Sequence, residues 1–139
     1  MRILVIDNDQ NTVETLKAVI TTKTGYQVDV AYSGQEGIDK MRSQDAAYDL
    51  LILDIMMPGM SGIDVCKVMV ADEKLKNTPI LLASALPVLS PEFQASLKEF
   101  EELKLITNVL EKPFTVDALL AKISASIQVK QSVSSSTTS

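Results

Sequence analysis

The feature that most constrains this chain is an alternation: a short apolar run, then a longer amphipathic stretch, repeated about five times. Ile3-Leu4-Val5-Ile6 reads as a buried strand. From Asn11 the apolar period becomes helical, with Val13, Leu16 and Ile20 on one face and Gly25 as the stop. Tyr26 to Ala31 alternates as a second strand, and Gly34 to Ser43, with Ile38 and Met41 inward, forms a second helix. Leu50-Leu51-Ile52-Leu53 is apolar on both faces, which suits a central strand of a parallel sheet. Pro58 and Gly59 then break the chain, and Ser61 with Asp64 three residues on is a capping-box pattern that opens a third helix. Ile80-Leu81-Leu82-Ala83 is a fourth strand, and Ser90-Pro91 predicts a fourth helix from Pro91 to about Leu103. Leu105 to Leu110 supplies strand five, and a helix from Thr115 through Leu119, Ile123 and Ile127 closes the domain.

Strands and helices alternating at this spacing imply right-handed crossovers and a parallel sheet covered on both faces. The fold class is therefore α/β, doubly wound, with five strands and five helices. Ligands bind such sheets at the carboxyl ends of the strands, so the residues just after each strand are the ones to inspect.

Composition narrows the chemistry. With 139 residues the chain suits one domain, expected over 1–127. Seven of the last eight residues are Ser or Thr, so 128–139 is expected to be a disordered tail with almost no apolar side chains to offset ordering. The lone Cys66 excludes an intramolecular disulfide, and the absence of His removes imidazole chemistry; both fit a reducing cytoplasm. A net charge of −5 argues against direct nucleic-acid binding, and the apolar run at the amino terminus is too short for a signal peptide or a membrane span.

Three carboxylates follow strands: Asp7 and Asp9 after the first, Asp54 after the third. Any one alone serves as a turn or cap residue. If strands one and three are neighbours, Asp7 and Asp54 meet at one sheet edge, and clustered carboxylates repel unless a cation screens them. Hard oxygen ligands of this kind suit Mg²⁺, which takes one or two carboxylates and keeps several waters. Ser84 after strand four would add a hydroxyl, and Lys112 after strand five a charge able to stabilise a phosphoryl oxygen. Alone, the first reads as a cap and the second as a solvated charge.

The order of these pieces is more specific than any one of them. Asp7, then Asp54-Ile55-Met56-Met57-Pro58-Gly59, Gly62 eight residues past Asp54, Ser84-Ala85, and Glu111-Lys112-Pro113-Phe114 resemble the receiver domains of two-component response regulators over about residues 2–127. The resemblance implies a flavodoxin-like sheet in the order 2-1-3-4-5. It implies that Asp54 accepts a phosphoryl group from a phosphohistidine of a sensor histidine kinase or histidine phosphotransfer protein. By the same carry-over Asp54 and the carbonyl of Met56 ligate Mg²⁺, Asp7 holds it through water, Ser84 and Lys112 contact the phosphoryl oxygens, and Lys112-Pro113 is a cis peptide. The domain would catalyse its own phosphorylation and a slow dephosphorylation, and act on a downstream target through protein contact, no output domain following the last helix.

The sequence departs from the family pattern at Asn8 and Val109, and Met56 and Leu86 stand at positions that in the family influence hydrolysis of the aspartyl phosphate. Asn8 stands where a second carboxylate usually ligates the metal, so phosphorylation is expected to need more Mg²⁺; Asp9, one position on, points its side chain elsewhere. Val109 stands where an aromatic residue usually rotates on activation. Met56 and Leu86, two residues past Asp54 and Ser84, cannot hold a water by side-chain hydrogen bonding, so a slow-decaying phosphoryl form is expected. Two rival readings are a pseudo-receiver that binds partners without phosphate, and a haloacid-dehalogenase-like phosphatase with Asp7 as nucleophile and Asp9 as general acid.

Overall fold

A computed structural model of the chain describes residues 1–43, 48–85, 90–92, 94–95, 98 and 106–138, with the main chain alone at 106–107 and 128–138. In chain order the elements are β1 (Arg2–Ile6), α1 (Gln10–Thr24), β2 (Gln27–Ala31), α2 (Gly34–Ser43), β3 (Leu50–Asp54), α3 (Gly62–Val70), β4 (Ile80–Ser84), β5 (Ile106–Glu111) and α4 (Val116–Thr138). The five strands form one sheet in the order β2-β1-β3-β4-β5, and every pairing is parallel. The parallel pairing is as the alternation of elements implies, and the order is as the resemblance implies.

Strand alternation divides the core in two, because successive side chains of a strand point to opposite faces. Leu4, Ile6, Leu51, Leu53, Ile80 and Leu82 face α2 and α3, where they meet Ile38, Met41, Val65, Cys66 and Met69. Ile3, Val5, Leu50, Ile52, Leu81 and Ala83 face α1 and α4, packing on Val13, Leu16, Ile20, Leu119, Ile123 and Ile127. β3 is buried along its whole length, as an apolar run on both faces requires.

Helix ends follow the local chemistry. Gly25 closes α1 in the left-handed region at φ 75°, its N–H donating to the carbonyl of Thr21. At α3 the capping box is complete: Ser61 Oγ accepts from the Asp64 N–H (3.3 Å), and the Ser61 N–H donates to Asp64 Oδ2 (3.1 Å).

Two differences from the sequence reading concern the helices. Of the helix expected over 91–103, Pro91, Glu92, Gln94, Ala95 and Lys98 are helical and the Gln94 N–H donates to the Ser90 carbonyl (3.0 Å). Its other residues, with Leu86, lie outside the described ones. Four helices are therefore delimited among the described residues, against five expected. The main chain of α4 also continues to Thr138, past the expected end of the domain at 127. Ile127 is the last side chain of α4 described as buried in the core.

Candidate functional site

The strand order brings the ends of β1 and β3 side by side, Ile6 opposite Leu53, so Asp7 and Asp54 share the carboxyl edge of the sheet. Both are buried, at 2% and 7% exposure. β4 pairs with β3 and carries Ser84 to the same edge at 1% exposure, and Ser84 in turn lies opposite Glu111 of β5. The Ser84 carbonyl accepts from the Lys112 N–H at 2.7 Å, which ties the β4 end to the residue that sends a cation inward. Lys112 Nζ then lies 2.6 Å from Asp7 Oδ2 and 3.8 Å from Asp54 Oδ2. Asp7, Asp54, Ser84 and Lys112, four residues named from sequence, are thus brought to one edge. The Lys112-Pro113 peptide is cis.

The loop after β3 is shaped by two glycines. Gly59 has φ 74°, where an L side chain is strained. Gly62 begins α3 against the strand it follows: a Cβ there would stand 2.7 Å from the Asp54 carbonyl oxygen, while the Gly62 N–H donates to the Ile55 carbonyl (3.0 Å). Glycine at 62 therefore lets the helix start press directly on the backbone that carries Asp54. Asp54 Oδ1 accepts from the Met56 N–H at 3.3 Å, and the Met56 side chain is 59% exposed beside the site. Met57 turns inward and is buried, so the two methionines part to opposite sides of the loop.

Electrostatically the site is short of positive charge. Burial first, and then the neighbouring Asp7 charge, push the Asp54 carboxyl up to about 6 from its ordinary 3.8, with Lys112 pulling the other way. Two buried carboxylates face one ammonium, an oxygen-only donor set that fits a small hard cation such as Mg²⁺. No group of three or more acidic, Cys or His side chains that could hold a metal occurs among the described residues, so a cation here would rely on two carboxylates with neutral oxygens from Asn8, Met56 and water. Asn8 is exposed at the rim.

Asp9 does something else. Its Oδ1 accepts from the Asn11 N–H (3.1 Å) and its Oδ2 from Thr12 Oγ1 (2.8 Å), so both oxygens cap the first turn of α1. The sequence allows Asp9 a turn or cap role and points its side chain away from the metal, and the structure gives it the cap. Val109, partly buried, packs with the α2/α3 side of the core.

The chain matches the response regulator receiver domain family over residues 3–124. It is 31% identical over 129 residues to the response regulator ArlR of Staphylococcus aureus, a match covering 89% of this chain and 51% of ArlR, so the chain spans about half the length of such relatives. Among solved structures, the chemotaxis protein CheY4 of Vibrio cholerae is 26% identical with a TM-score of 0.77, over 90% of this chain and 97% of that one. The receiver domain of the Francisella response regulator 1452 is 27% identical with a TM-score of 0.72, over 91% and 96%.

Proposed function

This chain belongs to the response regulator receiver domain family, and on that premise we propose that Asp54 is its phosphoacceptor. The observation that carries the reading is the placement of a buried carboxylate at the end of the central strand, with Lys112 Nζ 3.8 Å away and Asp7 beside it. A carboxylate oxygen of Asp54 attacks the phosphorus of a phosphohistidine on a sensor kinase or phosphotransfer protein. The P–N bond breaks, the imidazole leaves, and an aspartyl phosphate forms.

In such a loose transition state charge spreads over the phosphoryl oxygens, so catalysis is positioning and electrostatic stabilisation. Lys112 supplies a charge already inside the site, and Ser84 a hydroxyl at the end of the adjoining strand. Mg²⁺, when bound, neutralises the carboxylates and the incoming phosphoryl group; Asp54, the Met56 carbonyl, Asn8, and Asp7 through water are the groups that would hold it. No described helix is long and apolar enough to cross a membrane, and a cytoplasmic setting with a kinase upstream and a protein target downstream fits the family.

The phosphatase reading is not favoured, because Asp9, its required general acid, is committed to the α1 cap and is exposed. A pseudo-receiver is not favoured either, since Asp7, Asp54, Ser84 and Lys112 are all present at one edge. Phosphorylation by a small-molecule phosphodonor, followed by borohydride reduction and peptide mapping, tests the assignment. Label on Asp54 supports it. Label on Asp7, or none with or without Mg²⁺, overturns it.

A further inference from the structure

The Asp7-Asn8-Asp9 turn holds Asp7 at both oxygens. Oδ2 accepts from Lys112 Nζ at 2.6 Å, and Oδ1 accepts from the backbone N–H of Asp9 at 2.9 Å. The peptide that supplies the second bond is fixed in turn by the Asp9 side chain. With φ −88° and ψ 106°, Asp9 is the N-cap of α1, bonded to the Asn11 N–H and the Thr12 hydroxyl, while its own carbonyl accepts from the Val13 N–H (3.1 Å). We propose that Asp9 is a positioning residue for the phosphoryl site: by capping α1 it aims the N–H that orients the Asp7 carboxylate, and it is not a metal ligand. This rests on the function proposed above and assigns a part in it to a residue outside the reacting set.

The argument is one of direction and occupancy. Both Asp9 oxygens accept hydrogen bonds from the first turn of α1, so turning either toward Asp54 would leave the N–H of Asn11 or the hydroxyl of Thr12 without its partner. Asn8 sharpens the dependence. With a neutral amide at that position, the turn after β1 places one inward carboxylate rather than two, and the orientation of Asp7 carries correspondingly more of the site's order.

Asparagine caps helices about as well as aspartate, whereas alanine does not, and this separates a cap from a charge. On the full chain, Mg²⁺ binding followed by isothermal titration calorimetry should be roughly fivefold weaker in Asp9→Ala, within about twofold of the parent in Asp9→Asn, and intermediate in Thr12→Val. Without metal, the backbone amide of residue 9 should be protected from hydrogen exchange in the parent and in Asp9→Asn, and lose protection in Asp9→Ala. Equal weakening in Asp9→Asn and Asp9→Ala would show a role through charge and overturn the proposal. So would an Asp9→Ala protein with the parent's Mg²⁺ affinity, for which the cap is merely structural. A parent chain that neither binds Mg²⁺ nor labels Asp54 sinks the proposed function instead, and amide protection at residue 9 still decides whether the cap orients Asp7.

Discussion

Lys112 Nζ stands 2.6 Å from Asp7 Oδ2 but 3.8 Å from Asp54 Oδ2, so the ammonium leans on the carboxylate that is not the proposed acceptor. The arrangement leaves Asp54 the less compensated of the two charges while keeping a cation within reach of any group that arrives on it. Removing the ammonium strands both carboxylates in a buried place. Lys112→Met should therefore lower stability in metal-free buffer by about 2 kcal/mol, and saturating Mg²⁺ should recover much of that loss. Urea unfolding with and without Mg²⁺ measures both quantities, and a variant as stable as the parent without metal contradicts the charge balance described here.

The raised Asp54 carboxyl has a pH signature. Its value in the folded chain is about 6 against 3.8 for an ordinary Asp, chiefly from burial and then from the Asp7 charge. A carboxyl raised on folding adds stability that is fully present below pH 4 and is lost as pH climbs through about 6. Metal-free parent protein should thus lose stability relative to Asp54→Asn across that window, by an amount of about 2 kcal/mol. Parallel stability curves for the two proteins between pH 4 and 7 would count against it.

Asn8 offers a neutral oxygen at the rim, where a third carboxylate would add attraction for a divalent ion. Asn8→Asp should lower the Mg²⁺ concentration for half-maximal phosphorylation of Asp54 by at least about threefold. The check is a Mg²⁺ titration of both proteins with the same phosphodonor; equal half-saturation rules the idea out.

Met56 leaves an exposed thioether beside the acceptor, with no strong hydrogen-bonding atom to hold an attacking water. The aspartyl phosphate should decay slowly, and Met56→Asn should shorten its lifetime several-fold. Loss of radiolabel from the isolated phosphoprotein gives the rate directly, and an unchanged lifetime excludes the explanation.

The folded unit is proposed to end near Ile127, the last side chain of α4 described as buried in the core. Deleting residues 128–139 should change unfolding stability by less than about 0.5 kcal/mol. A clearly lower thermal midpoint for the shortened chain would place part of the domain beyond that boundary.

Much of this fold is legible in the sequence. β2, α2 and α3 fall within a residue or so of the apolar and capping signals that announce them, because side-chain period and cap chemistry are local properties. The strand order and the meeting of Asp7 with Asp54 rested instead on the resemblance, since pairing joins residues 47 positions apart that carry no local mark of one another.

By itself, then, the sequence determined the alternation of elements, the parallel sheet it forces, and the types of residue available at the strand ends. Tertiary structure decided which oxygens are occupied. Asp9 looks like one more acidic neighbour in the string, yet the direction of its side chain gives both its oxygens to α1. Gly62 looks only like the first helical residue after the Ser61 cap, yet the close approach of α3 to the Asp54 carbonyl leaves no room for a Cβ. Residue identity states what a side chain can donate or accept; only the packed backbone sets its direction and its partner, and hydrogen bonds depend on both.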